Sequence, residues 1–157
     1  GIEEKETELA DRRAQVEELE EELATLKGDR EDKRIRHWQQ VAISAAEQSG
    51  RARIPTIHAP AKLGDWLAGC HTDVRLVLHH EGQPPGRQAV TPASIALLIG
   101  PEGGLNEDEL SAAANAGFAP LALGPRVLRT ETAPVAAIGL CQWLWGDFQS
   151  VSKETSE

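Results

Sequence analysis

Apart from Gly1, the first 27 residues contain no glycine, no proline and no aromatic side chain. Within them Ile2, Leu9, Val16 and Leu23 recur every seventh residue, and Leu19 and Leu26 stand three further on. That is the a/d spacing of a helix with one apolar stripe. The first two d positions are Lys5 and Arg12, so the apolar seam is complete only over the last two heptads. Three readings stay open: a coiled coil with a second copy, a Glu-rich solvated helix that lays its leucines on its own domain, or an added segment without biological meaning. Gly28-Asp29 interrupts the run and predicts a boundary, with residues 1–27 as the helix, 28–149 as the main domain and 150–157 as a polar tail.

Charge divides at nearly the same place. Residues 1–32 carry thirteen acidic and five basic side chains, whereas residues 33–157 carry twelve and eleven. The net charge of −9 therefore belongs almost wholly to the first segment, and it does not argue against a polyanionic partner for the rest. No stretch approaches the about eighteen consecutive apolar residues of a membrane span. Cys70 and Cys141 lie far apart and outside any C-x-x-C pair, which suits free thiols in a reducing, cytoplasmic setting. The N-terminus is acidic, unlike a signal peptide. With Gly1 first and no methionine anywhere, the chain reads as a fragment, a processed chain or an engineered one.

Beyond Gly28 helical periodicity gives way to alternation. Lys33 to Gln48 predicts a helix closed by Gly50, Ile54 to His58 a short strand containing Pro55, and Ala61 to Cys70 a short helix. Val74 to Leu78 predicts a strand, Glu81 to Pro92 a loop, and Ser94 to Ile99 a second strand. Asn106 caps a helix running to Asn115, Phe118 to Leu123 is a further strand, and Thr130 to Trp145 a final apolar helix, with Trp143 and Trp145 expected in the core rather than at a dimer seam. Strands alternating with helices imply an α/β fold: a mostly parallel sheet with helices on both faces.

Five of the fourteen glycines fall between Gly100 and Gly124, and two of the loops they mark follow directly on expected strands. Ligand sites of open α/β sheets lie beyond the carboxyl ends of the strands, where such loops stand. Ile99-Gly100-Pro101-Glu102-Gly103-Gly104 lacks the Gly-Lys-Ser/Thr ending of a phosphate loop, and Glu102 would repel phosphate. In the second loop, 123–133, Arg126, Arg129 and Glu131 interrupt an otherwise apolar stretch, and Thr130 or Thr132 offers a helix N-cap. Together the two loops read as one composite site.

The segments LLIGPEGGLNEDEL and LALGPRVLRTETAPVAAIGL, with WQQVAISAAEQSGRARIPTI upstream, resemble the paired signature of the SPOUT (trefoil-knot) methyltransferases. Among them the pattern is similar to the RsmE family, which methylates N3 of a uracil in 16S ribosomal RNA. The resemblance covers about Gly28 to Phe148 and implies a C-terminal trefoil knot with S-adenosylmethionine bent into its cleft. Carried onto this sequence, the cofactor wall would be Leu78 and His79, then Ile99, Gly100, Glu102 and Gly103, then Leu123, Val127, Leu128, Thr130 and Ala133. Glu131 would take the uracil N3 proton and Arg129 would stabilise charge on the uracil carbonyls, unless the two only form an ion pair bracing the knot. Arg51, Arg53 and Arg126 would meet RNA, residues 33–53 having a net charge of +4. No metal is expected, since His79-His80 lacks a third ligand.

That family is also expected to carry an N-terminal β-barrel RNA-binding domain and a first strand, helix and second strand of the knot domain. These 157 residues contain neither, and the acidic helix stands where they would end. The partners implied are 16S ribosomal RNA or the small ribosomal subunit and a second copy of the chain, with no membrane. Two other readings are a related knot methyltransferase with another acceptor and a non-catalytic dimeric module.

Overall fold

A computed structural model describes residues 2–84 and 90–148; the expected tail at 150–157 and the middle of the expected 81–92 loop lie outside the described residues. The chain divides into two compact units, 1–61 and 62–157.

The first unit is dominated by helix α1, Ile2–Ser49, 48 residues long. The interruption expected at Gly28-Asp29 does not form. A glycine inside a helix costs about 1 kcal/mol relative to alanine, whereas a break there would leave orphan N–H and C=O groups on both sides. Strong helix formers on either side make continuation the cheaper state. The helix stops instead at Gly50, whose positive φ of 69° suits a glycine and lets the Arg51 N–H donate to the Ala46 carbonyl at 2.9 Å. The strand expected at Ile54–His58 is absent; the stretch is irregular. Pro55 has no N–H to donate to a ladder, and the described sheet takes none of these residues as a partner.

The second unit is a three-stranded, wholly parallel sheet with its helices. In chain order it comprises α2 (Leu63–Ala68), β1 (Val74–Gln83), β2 (Ile95–Leu98), α3 (Glu107–Asn115), β3 (Ala119–Leu121) and α4 (Ala133–Trp145). The strands lie in the order β2-β1-β3, with Val74 opposite Ile95 and Leu76 opposite Ala119. Successive side chains of β1 point to opposite faces, and each face has its own core. Val77 joins Leu67, Ala96, Ala113 and Phe118 on the α2/α3 side. Leu76 joins Leu121 and Cys141 on the α4 side. This is why the strands read as continuous apolar runs rather than alternating ones.

Strand β1 is twice the expected length. Its extension has a partner: Gln83 pairs with Leu121 after a register shift, and the Ala122 N–H donates to the Gln83 carbonyl at 3.1 Å. Gly82 permits this, because a Cβ there would stand 2.7 Å from the Ala122 nitrogen and 2.8 Å from the Leu121 nitrogen.

Local chemistry fixes the helix ends. Asn106 accepts from the Glu109 N–H at 2.8 Å while the Glu109 carboxylate accepts from the Asn106 N–H at 2.9 Å, a capping box that starts α3. At its other end Arg75 of β1 donates to the Ala116 carbonyl at 2.8 Å, placing a cation at the negative helix terminus. Helix α4 begins at Ala133, later than expected. Thr132 stands at its N-cap without a side-chain capping bond, and Thr130 lies in the preceding turn. Trp143 is 56% exposed rather than in the core, while Trp145 packs against the Leu76 cluster. Residues two apart lie on nearly opposite sides of a helix, so one sheet-facing stripe cannot hold both.

Candidate active site

All three strands of the second unit run parallel, so their carboxyl ends share one edge of the sheet, and the segments leaving them converge there. Leu78 and His79 end the sheet-centred part of β1, residues 99–105 follow β2, and residues 123–133 follow β3. They enclose one open cavity of about 310 Å³, within the usual range of small-molecule sites.

Every residue assigned from sequence to a cofactor wall lines this cavity: Leu78, His79, Ile99, Gly100, Glu102, Gly103, Leu123, Val127, Leu128, Thr130 and Ala133. Arg126 and Arg129 line it as well, but Glu131 does not. The Glu131 carboxylate stands 3.9 Å from Arg129 Nη1, and the two side chains are 73% and 85% exposed. A pair so open to solvent contributes little to stability, so bracing the fold is a poor account of it. Arg51 and Arg53 belong to the other compact unit, where both are exposed.

The wall is built from backbone on one side and apolar side chains on another. Gly100 lies so close to the next turn that a Cβ would meet the Leu105 nitrogen at 3.0 Å. The turn itself is held by the Gly104 N–H donating to the Pro101 carbonyl at 2.8 Å. Opposite charges share the rim: Arg126 and Arg129 on one loop, Glu102 on the other. His79 and His80 lie with ring centroids 4.4 Å apart, and His79 Nδ1 accepts from the Glu81 N–H at 3.3 Å.

Six further lining residues carry no individual assignment from sequence: Pro101, Gly104 and Gly124, which lie in the two expected site loops, and His80, Leu105 and Leu121, which lie outside them. Four adjoin assigned residues and Leu105 follows one of these, so extending each loop to its ends reaches all five. Leu121 had no signal, since a buried strand leucine reads as core, and it also serves as core.

The wall fits S-adenosylmethionine. Backbone groups of glycine loops provide both donors and acceptors for an adenine, Leu78, Ile99, Leu123 and Leu128 supply apolar surface, and the Glu102 carboxylate favours a cation.

Comparison with known proteins gives the same picture. A family model described as RNA methyltransferase domain matches residues 2–142. Ribosomal RNA small subunit methyltransferase E of Mycobacterium bovis is 40% identical over 124 residues, covering 74% of this chain and 47% of that protein. The protein of the same name from Buchnera aphidicola is 36% identical over 118 residues, again covering 74% and 47%. Among solved structures, ribosomal RNA small subunit methyltransferase E from Neisseria gonorrhoeae, bound to S-adenosyl methionine, superposes with a TM-score of 0.71 at 40% identity, covering 76% of this chain and 52% of that one. A Legionella pneumophila protein solved with bound SAM gives 0.70 at 37% identity, covering 74% and 48%. The chain spans about half the length of the curated relatives it matches.

Proposed function

Because the chain belongs to the RNA methyltransferase domain family, we propose that it is the cofactor-binding, catalytic portion of an S-adenosylmethionine-dependent methyltransferase acting on N3 of a uracil in 16S ribosomal RNA. The observation that carries this reading is the convergence of the 99–105 and 123–133 loops on one cavity at the carboxyl edge of a parallel sheet. The relatives named as ribosomal RNA small subunit methyltransferases support ribosomal RNA as the acceptor class.

The bound cofactor supplies an electrophilic methyl group on a sulfonium. The chain supplies position and charge. Glycine-loop backbone and the apolar wall orient the reactants, and orientation accounts for most of the acceleration available to a displacement of this kind. Glu102 favours the cationic cofactor over its neutral product. Arg129, on the cavity wall, stabilises negative charge on the uracil carbonyls, and Glu131, 3.9 Å from it, takes the N3 proton directly or through a water. Arg126 on the rim and Arg51 and Arg53 in the first unit meet RNA phosphates. The passage of Leu121–Ala122 against Gly82 supports the trefoil knot of the same reading, since a threaded chain needs backbone to pass backbone closely. The small ribosomal subunit in the cytoplasm is the partner and setting, which suits the two free cysteines.

Calorimetric titration of the chain with S-adenosylhomocysteine tests the reading. Saturable one-site binding is expected, and folded protein that does not bind overturns it. The base assignment is tested by Glu131→Gln assayed on small ribosomal subunits, where unchanged turnover would refute it.

A further inference from the structure

The apolar stripe of α1 plays no part in the cavity. Leu9, Val16, Leu19, Leu23 and Leu26 are each between 52% and 63% exposed, on a helix unbroken from Ile2 to Ser49. At a/d spacing they form one seam about 27 Å long rather than scattered surface residues.

What flanks the seam selects its occupant. Along that seam the g positions hold Glu8, Gln15 and Glu22, and the e positions hold Arg13, Glu20 and Lys27. In a parallel, in-register pair each g residue faces the e residue five further along the other helix. Glu8 then meets the partner's Arg13, and Glu22 the partner's Lys27. The remaining pair, Gln15 with the partner's Glu20, sets no like charges together. An antiparallel pair would instead bring g against g, where both charged residues are acidic. Of the a positions Leu9, Val16 and Leu23, β-branched Val16, set among leucines at d, is the one that favours two strands. Arg12, the basic intruder at d, already bonds Glu8 of its own helix at 2.8 Å, which offsets its charge beside the seam.

We propose that α1 is a homodimerisation element, forming a parallel, in-register coiled coil with a second copy of this chain over residues 8–27. The pairing is independent of methyl transfer, and cofactor binding does not bear on it.

Sedimentation equilibrium of the full chain tests it. A reversible dimer is expected, and Leu19→Asp combined with Leu26→Asp should weaken association by about a hundredfold or more, because each removes a buried side chain from both helices. The near-ultraviolet circular dichroism of the tryptophans should stay unchanged in that variant. A wild-type chain that is monomeric at its highest soluble concentration, or a double variant that associates as tightly as wild type, overturns the proposal. Orientation is read separately. Glu22→Lys and Lys27→Glu should each weaken the dimer several-fold, and the two together should restore it. A combined variant no tighter than either single one rules out the parallel register.

Discussion

The Cβ that Gly82 lacks would stand 2.8 Å from the backbone nitrogen of Leu121. Neither backbone can yield cheaply, since Leu121 is 1% exposed and tied into the sheet on both sides of the register shift. Gly82→Ala should therefore destabilise the fold by about 1–3 kcal/mol, the usual cost of overpacking. Chemical denaturation measures it, and because Leu121 lines the cavity the variant should also bind S-adenosylhomocysteine more weakly.

Arg75 supports α3 from the neighbouring strand. Its bond to the Ala116 carbonyl combines a charge-assisted hydrogen bond with a favourable helix-dipole interaction. Arg75→Ala should lower stability by about 1.5–3 kcal/mol, the range for a hydrogen bond to a charged group. Arg75→Lys should recover part of this, and thermal unfolding of the three proteins gives the order.

Asn106→Ala removes half of the capping box that begins α3 just beyond the cavity loop. A loss of about 1 kcal/mol is expected in denaturant titration. Glu109→Gln, which keeps an acceptor for the Asn106 N–H, should cost less.

Glu102 should discriminate between cofactor and product. Its carboxylate can attract a sulfonium but gains nothing from a neutral thioether. Glu102→Gln is expected to weaken S-adenosylmethionine binding by up to about fivefold, a modest effect because the group is exposed, while leaving S-adenosylhomocysteine nearly unchanged. Equal losses for both ligands in calorimetry would remove the electrostatic role.

Burial pushes the Cys141 thiol above its ordinary value of 9.0. A raised folded value means that the folded state holds its proton more tightly than the unfolded one. The associated stability is fully present below the unfolded thiol's titration and is lost as pH rises through the folded one, so Cys141→Ala should flatten the alkaline limb of a stability profile. At mildly alkaline pH, timed alkylation followed by mass mapping should find half-buried Cys70 modified before Cys141.

Much of this architecture was legible in the residues. The apolar runs around Leu76 and Leu97 marked buried parallel strands, and Asn106 with the acids after it marked the start of α3. The glycine loops after β2 and β3 marked the candidate site, because turn chemistry and helix caps are local. The places where reading failed have a common cause. Gly28 looked like a boundary because a propensity is a small number, outweighed by the bonds a continuing helix keeps. Ile54–His58 has strand composition but no strand to pair with. Trp143 and Trp145 both look like core, yet one helix turns only one of them inward.

Sequence by itself determined the order of most elements, the segregation of acid into the first helix, the family resemblance, and most of the residues that line the cavity. These depend on short-range spacing and on motifs contiguous in the chain. Tertiary structure alone decided that β1 runs on to Gln83, that Gly82 must admit the Leu121 backbone, that Arg75 reaches Ala116, and that Arg129 faces the cavity while Glu131 stands outside its wall. Each of those depends on segments distant in sequence meeting at the carboxyl edge of the sheet or across its face, and no local pattern records which segments meet.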